Sequence, residues 1–411
     1  MQVTYQRCAG LDVHKKTVVA CVLVTSEDGE VHKQVRTFLT MTSDLLALSD
    51  WLDSFGVTHV ALESTGVYWR PVFNLLEEGH TLLLVNPRHM KAVPGRKTDV
   101  KDSEWIADLL RHGLLQPSFL PPKPIRELRE LVRYRKTLVQ ERTQEINRLQ
   151  KILEDANIKL AAVATDIVGK SGRDMLQALI SGEQDAELLA ELARGRLRAK
   201  LPALRKALEG RVQPHHRFLL ERMLTHIEFL EESILEVQKE IEQRLPPFEE
   251  AITLLQSIPG IHLLAASAIL AEIGCDMSRF PSAKHLASWA GVCPGNKQSG
   301  GKRLSSKITK GNPYLRAVLA EVVWAIAHTK DNYLSAHYHR LARRLGKQKA
   351  VVAVSHSVLV IIYRILYTMK PYNDLGADYF DRLDADRVER HHVRRLEQLG
   401  YAVTLTPKDA A

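Results

Sequence analysis

Four carboxylates stand where chemistry could use them. Asp12 lies within the apolar run AGLDV, Glu63 closes VALESTG, and Asp99 and Asp102 are three apart in KTDVKDSEWIADLL. Strand residues that face a core are seldom charged, so Asp12 requires a partner. Asp99 and Asp102, at helical spacing, share one side of a first turn. Two like charges that close cost free energy unless positive charge offsets them. An oxygen-only donor set without histidine or cysteine suits Mg2+ or Mn2+. Two such ions would hold the aspartates together and clamp the attacking and leaving oxygens of a phosphodiester. Each residue also has a plain structural reading, with Asp12 capping a turn, Glu63 sitting on a rim and Asp99 capping the helix.

The elements that must position them follow from periodicity. Residues 7–13, 17–25 and 31–38 read as strands rich in Val, Leu and Thr, the last two joined by an Asp-Gly hairpin signal in EDGE. A helix is predicted over 43–55 with Thr42 or Ser43 as its cap, then a strand at 57–62, a helix at 68–78, a strand at 81–85 and the helix that carries Asp99 and Asp102. The order β-β-β-α-β-α-β-α is that of the ribonuclease H fold. In open α/β sheets ligands gather at the carboxyl ends of strands, where Glu63 falls.

A proline cluster, LPPKP at 120–124, closes this unit. The expected division is 1–122 as the α/β catalytic domain, 123–250 as a helical and coiled-coil domain, 251–372 as a mostly helical C-terminal domain and 373–411 as a charged helical tail. Leu128, Leu131, Leu138, Ile146, Leu149 and Leu153 mark an apolar stripe that also contains Arg135 and Arg142, odd for a dry seam. Leu220, Ile227, Ile234 and Ile241 recur every seven residues with Met223, Leu230 and Val237 between them. That heptad predicts a coiled coil, formed either with the earlier helix or with a second chain. SIPGIHLLAASAILAEIG at 257–274 reads as a small-residue turn before an Ala-rich helix. It is either an ordinary helical hairpin or a helix-hairpin-helix whose turn offers amides to a nucleic-acid phosphate.

The 411-residue chain is 45% hydrophobic and 26% charged, with a net charge of +9. The excess is uneven. Between Lys297 and Lys349 only Glu321 and Asp331 oppose the basic residues, so Lys297, Lys302, Arg303, Lys307, Lys310, Arg316, Arg343, Arg344, Lys347 and Lys349 are candidate phosphate contacts. Four cysteines without a CxxC pair argue against structural zinc and a disulfide framework. The longest apolar candidate, VVAVSHSVLVIIY, reads as too short to span a bilayer, and the N-terminus lacks a signal peptide's apolar stretch. The expectation is a cytoplasmic protein with no membrane partner.

Taken together, GLDVHK, ALESTGVYW, VNPRHMKAVPGRKTDVKDSEWIADLL, SIPGI, FPSAKHLASWAGVCPGNKQSGGKR and KGNPYLRAVL resemble bacterial insertion-sequence transposases with a DEDD motif. This is the insertion-sequence family numbered one hundred and ten, known as bridge-RNA-guided recombinases. The resemblance covers roughly 5–155 and 250–370. It implies a domain similar to the Holliday-junction resolvase RuvC, with Asp12, Glu63, Asp99 and Asp102 as a metal-binding tetrad. Ser299, in KQSGGK, matches the serine that attacks DNA and forms a phosphoserine link, with Ser305 and Ser306 as close competitors. The resemblance also implies a composite site shared between protomers of a dimer or tetramer. An element-encoded guide RNA would pair with target and donor DNA. The helical segment 158–250 and the tail beyond 370 depart from shorter relatives.

By residue chemistry alone, a serine beside Gly300 and Gly301 in a basic loop is an ordinary turn residue. The functional reading is that glycines let backbone approach phosphate while Lys297, Lys302 and Arg303 stabilise developing charge. A serine hydroxyl at its free pKa needs a metal or base to attack. Two rivals share part of this logic: a structure-selective nuclease using metal-activated water, and a non-catalytic nucleic-acid-binding protein.

Overall fold

A computed structural model describes residues 2–64, 66–87, 90, 102–295, 297–305 and 307–406, with backbone only at 297–299, 303–304 and 388. The chain forms two compact units, residues 1–120 and 121–411.

In the first unit, β1 (Arg7–Val13), β2 (Thr17–Thr25) and β3 (Val31–Leu39) make an antiparallel meander. β4 (His59–Glu63) and β5 (Thr81–Val85) run parallel to β1, giving the sheet order β3-β2-β1-β4-β5. The strand alternation sorts side chains to two faces. Ala9, Leu11, Val60 and Leu62 pack under α1 (Thr42–Ser54) and α2 (Trp69–Leu76), through Leu45, Leu48, Leu52, Val72 and Leu76. Cys8, Cys21, Ala61 and Val85 face the opposite way, against Ile106, Ala107, Leu109 and Leu110 of α3 (Asp102–Arg111). Both faces are covered, so β1 is buried almost throughout. This mixed α/β unit, in the predicted element order, is consistent with a ribonuclease H-like domain. One local expectation fails: Met41 occupies the position before α1 and no side chain caps it, so neither Thr42 nor Ser43 is the cap.

The second unit is mostly helical. The long helix Lys123–Asp155 and the heptad helix Pro214–Gln243 pair within the chain. Their partners run in opposite senses, Glu127 with Arg244, Arg142 with Glu231 and Glu145 with His226, so the pair is antiparallel. Leu220, Ile227, Leu230 and Ile241 are buried in this seam. Arg142, misplaced for a dry seam, is explained by Glu231, which also accepts from Arg173. Residues 158–212 form a small helical module whose core, including Leu160, Met175, Leu176, Leu189 and Leu204, continues from the seam.

The remainder gathers around Glu272, whose side chain is 2% exposed in the helix Leu263–Ile273. Arg133 of the long helix donates to both its oxygens, and Asn312 donates from the head of the helix Pro313–His328. Asn312 also caps that helix by accepting from the Tyr314 and Leu315 amides, with Pro313 next in line. The helix Lys347–Thr368 has 22 residues and, contrary to the sequence expectation, is long and apolar enough to cross a membrane. Its buried positions, Val351, Val354, Val358, Leu359, Ile362, Ile365 and Leu366, recur at three and four residues, and that face packs on neighbouring helices of the unit.

Candidate active site

Asp12 and Glu63 come from neighbouring parallel strands. The register sets Gly10 beside Ala61 and Leu11 beside Leu62, which brings Asp12 level with Glu63 at the carboxyl end of the sheet. Residues 8, 10 and 12 share the face on which α3 lies. α3 comes down closely because position 10 is glycine: a Cβ there would sit 2.3 Å from the Ser103 carbonyl oxygen and the Ala107 amide nitrogen. Asp102, the first residue of α3, is thereby held near the same strand end.

The electrostatics bear out this convergence. Burial pushes the Asp12 carboxyl above the usual carboxylate range. The imidazole of His14, 3.2 Å from Asp12, opposes that shift, while the charges of Asp102 and Glu63 reinforce it. A half-buried carboxylate under like-charge pressure from two others is a place for a cation. The donors are oxygens, apart from the more exposed His14, so the residues fit a hard divalent ion. Sequence reasoning missed His14. Its signal was present in LDVHK, where a spacing of two from Asp12 keeps it on the same side. Asp99 lies outside the described residues.

Ser299 ends β6 (Lys297–Ser299), which pairs with β7 (Lys302–Ser305) in an antiparallel hairpin. Ser299 stands opposite Lys302 across a two-residue turn. Gly300 and Gly301 both have positive φ, 55° and 75°, as such a turn requires. The hairpin's base is pinned. A Cβ on Gly311 would lie 2.3 Å from the Ala290 carbonyl, and one on Gly291 would lie 2.7 Å from the Gly311 amide. Gly291 is itself the left-handed end of the helix Ala283–Ala290. WAG and KGNPYL are therefore the two sides of one close backbone crossing below the hairpin. The side chain of Ser299 lies outside the described residues, as does Ser306, whereas Ser305 accepts the Lys307 amide at 3.2 Å.

Residues 9–158 match a family of DEDD transposases of the IS110 type, described as transposase, and residues 252–339 match the family described as transposase IS116/IS110/IS902. The chain belongs to the IS110-type transposases. The transposase for insertion sequence element IS1111A of Coxiella burnetii is 24% identical over 78% of this chain and 80% of its own length. The pilin gene-inverting protein of Moraxella bovis is 22% identical over 89% and 97%. A 42 kDa protein of insertion element IS900 from Mycobacterium paratuberculosis is 28% identical over 71% and 78%. As a member, this IS110-type chain is an enzyme of the DNA transposase and recombinase class.

The basic stripe of the transposase divides in two. Lys302, Lys307 and Lys310 are exposed on and beside the hairpin, while Arg316 is half-buried with an unpartnered Nε. Lys297 and Arg303 belong to the hairpin by backbone alone. Arg343 and Arg344 fill the last turn of the helix Tyr333–Leu345, and Lys347 and Lys349 open the next helix after Gly346. Lysines at a helix N-terminus oppose its dipole. Two of them at a turn without a side-chain cap make a strongly positive corner suited to an anion.

Among the described residues, one further cluster has metal-ligand spacing: Asp155, His215 and His216. His216 is buried and both its ring nitrogens are engaged, Nδ1 by the Gln213 amide and Nε2 by Asp155 at 2.9 Å. In the neutral ring the Nδ1 lone pair is used and the proton sits on Nε2. That is a capping box at the head of the heptad helix, with no lone pair left for a metal.

Proposed function

We propose that this transposase inserts and excises its own insertion sequence by divalent-metal-dependent DNA strand cleavage and exchange. Its ribonuclease H-like, RuvC-like first unit would hold the metal, and Ser299 would be the nucleophile. The observation that carries this reading is the convergence of Asp12, Glu63 and Asp102 at one strand end. Asp99 joins them by its place in the family motif.

Asp12 and Glu63 are fixed by the parallel register, and Asp102 by the close seat of α3 over Gly10. The imidazole of His14, 3.2 Å from Asp12, would orient its carboxylate. Asp12, Glu63, Asp99 and Asp102 would hold two Mg2+ or Mn2+ ions, which would supply charge neutralisation and activation of the attacking oxygen. Lys302, with Lys297 and Arg303, lies beside Ser299 in the hairpin and stabilises charge developing on a phosphate. The Gly300–Gly301 turn lets backbone approach that phosphate. In this reading the site is composite, one protomer's carboxylates meeting another's serine in a dimer or tetramer. A guide RNA from the element selects target and donor DNA.

The test is cleavage of element-end DNA by the full chain with its RNA. Wild type should cut only with Mg2+ or Mn2+ and leave a covalent protein–DNA adduct resistant to denaturation. Asp12→Asn should give neither product. Metal-dependent cutting without an adduct would make the protein a water-using nuclease. Binding unchanged by chelation, with no cutting at all, would make it a non-catalytic nucleic-acid-binding protein.

A further inference from the structure

The helix Tyr333–Leu345 carries no acidic residue, and Tyr333, His337, Arg340 and Arg344 recur along it at intervals of four, three and four. That spacing sets two rings and two guanidiniums on one face. The buried positions are Leu334, Ser335 and Tyr338, so this is not the face that packs on the unit. The rings of Tyr333 and His337 lie 5.7 Å apart and within 6° of parallel. Flat rings in line with arginines suit a strand of nucleic acid, its bases stacking on the rings and its phosphates meeting the guanidiniums.

The tail of the chain occupies that face. The ring of Phe380 is 5.3 Å from Tyr333 and 5.5 Å from His337, tilted by only 21° and 17°. The Arg340 guanidinium lies 4.7 Å from the centre of the same ring. Asp381 and Asp384 line a cleft of about 550 Å3 with Arg340, Arg343 and Arg387. Both carboxylates of that cleft belong to the tail. A stacked flat ring followed by negative charge beside arginines reproduces what a base and its phosphates would offer.

The hold of the tail is light. As far as Gly376 the chain is fixed: the Tyr372 amide donates to Ser257, and Asp374 accepts from the Tyr333 and Gly376 amides. Gly376 itself has a φ of 85°. Beyond it, among the described residues, hydrogen bonds and ion pairs stay within 375–401. Neither Tyr379–Leu383 nor Ala385–Gln398 has a buried residue among those described. The rings of Tyr379 and Phe380, both against Tyr333, are the anchor. We propose that residues 377–398 form a strap over a single-strand nucleic-acid face on Tyr333–Leu345, which yields when a strand binds. Phe380 then gives way to a base, and Asp381 and Asp384 give way to phosphates. The proposal rests on the reading of the chain as a nucleic-acid enzyme and adds a gate on its binding.

Binding of fluorescent single-stranded DNA and RNA oligonucleotides to the full chain is measured by anisotropy in chelator, which separates it from cleavage. Phe380→Ala leaves charge unchanged and should tighten binding by roughly fivefold or more, since no stacked ring has to be displaced. The oligonucleotide that gains more identifies the strand as DNA or RNA. Asp381→Asn should tighten binding more than Glu397→Gln, which removes the same charge outside the cleft. In the Phe380→Ala background, Tyr333→Leu with Arg340→Gln should cancel the gain while circular dichroism stays that of wild type. Hydrogen exchange at 379–398 in wild type should quicken when the strand is added. Equal or weaker binding by Phe380→Ala overturns the proposal, as does a gain that survives Tyr333→Leu with Arg340→Gln. Slower exchange in the tail on binding also overturns it, since the tail would then be a clamp. Absence of oligonucleotide binding in every variant overturns the strap and the nucleic-acid reading together. The expected binding pattern without metal-dependent cleavage supports the strap and counts against the cleavage reaction alone.

Discussion

Arg133 and Glu272 face each other through two hydrogen bonds of 2.7 Å, fork to fork, with the carboxylate almost wholly removed from solvent. Arg133 also stacks over Tyr314 at 4.2 Å, so this pair joins three helices at one point. Removing one partner of a buried pair leaves the other charge uncompensated, typically at about 3–5 kcal/mol. Glu272→Ala should therefore lower the unfolding free energy of the second unit by that amount. Chemical denaturation checks it, and a loss below about 1 kcal/mol would mean that solvent reaches Arg133 in the variant.

Gly10→Ala tests how Asp102 is positioned. The added methyl would press on the Ser103 carbonyl and the Ala107 amide, both backbone, so α3 must lift. Overpacking of this kind costs about 1–3 kcal/mol. Cleavage should fall far more than stability, because carboxylates must be held within a fraction of an ångström. A variant that loses stability but cuts at the wild-type rate would separate α3 from the chemistry.

Asp12→Asn should stabilise the metal-free protein while abolishing cleavage. The folded Asp12 pKa is raised above the usual aspartate value of 3.8. An acid with a raised folded pKa costs nothing below its unfolded value, and the cost appears as pH rises through the folded one. The variant's advantage in Tm should thus be present at pH 7 and shrink as pH falls toward 4. Mg2+ should raise the Tm of wild type and leave the variant unmoved. A variant that melts lower than wild type at pH 7 in chelator would contradict the like-charge reading.

Ser299→Ala should retain DNA and RNA binding yet give no cleavage and no adduct, whereas Ser305→Ala should still form the adduct. Mixing Asp12→Asn protein with Ser299→Ala protein should restore a fraction of the activity, since one composite site in such a mixture can be intact. Denaturing gels read both outcomes. No rescue, with each variant inactive alone, would place carboxylates and serine in the same protomer.

Neutralising Arg343, Arg344, Lys347 and Lys349 together should weaken nucleic-acid binding without regard to sequence. Each phosphate that is no longer neutralised flattens the slope of log K against log salt by roughly 0.7 to 0.9. Binding measured across a salt series decides it, and an unchanged slope would leave these residues as a solvated corner.

The first unit is readable because its strands are apolar runs rich in Val, Leu and Thr and each helix presents a regular apolar face. Asp12 and Glu63 stood out as charges inside apolar runs. What escaped notice was chemistry that depends on close approach. Gly10 is one letter in AGLDV, and only the seat of α3 gives it a role. His14 has only its spacing of two from Asp12 as a signal, and the 3.2 Å contact with that carboxylate is what gives the spacing a meaning. The heptad was legible but its partner was not. A period of seven states that a seam exists, and the matched Glu127–Arg244 and Arg142–Glu231 pairs place that seam within the chain. Ile227, expected either to join protomers or to brace the helix that does, is buried internally.

The antiparallel pair also has a defined length. From Glu127 to Glu154 the long helix climbs about 40 Å at 1.5 Å per residue, close to the length of a dozen base pairs of duplex. The module at 158–212 rides on its far end, and the Glu272 junction sits at the near one. Seven residues added to each helix at matched heptad positions would keep the whole seam in phase. They would move the tip outward by about 10 Å, or roughly three base pairs. The length of this paired arm is thus written into the chain in steps of seven residues.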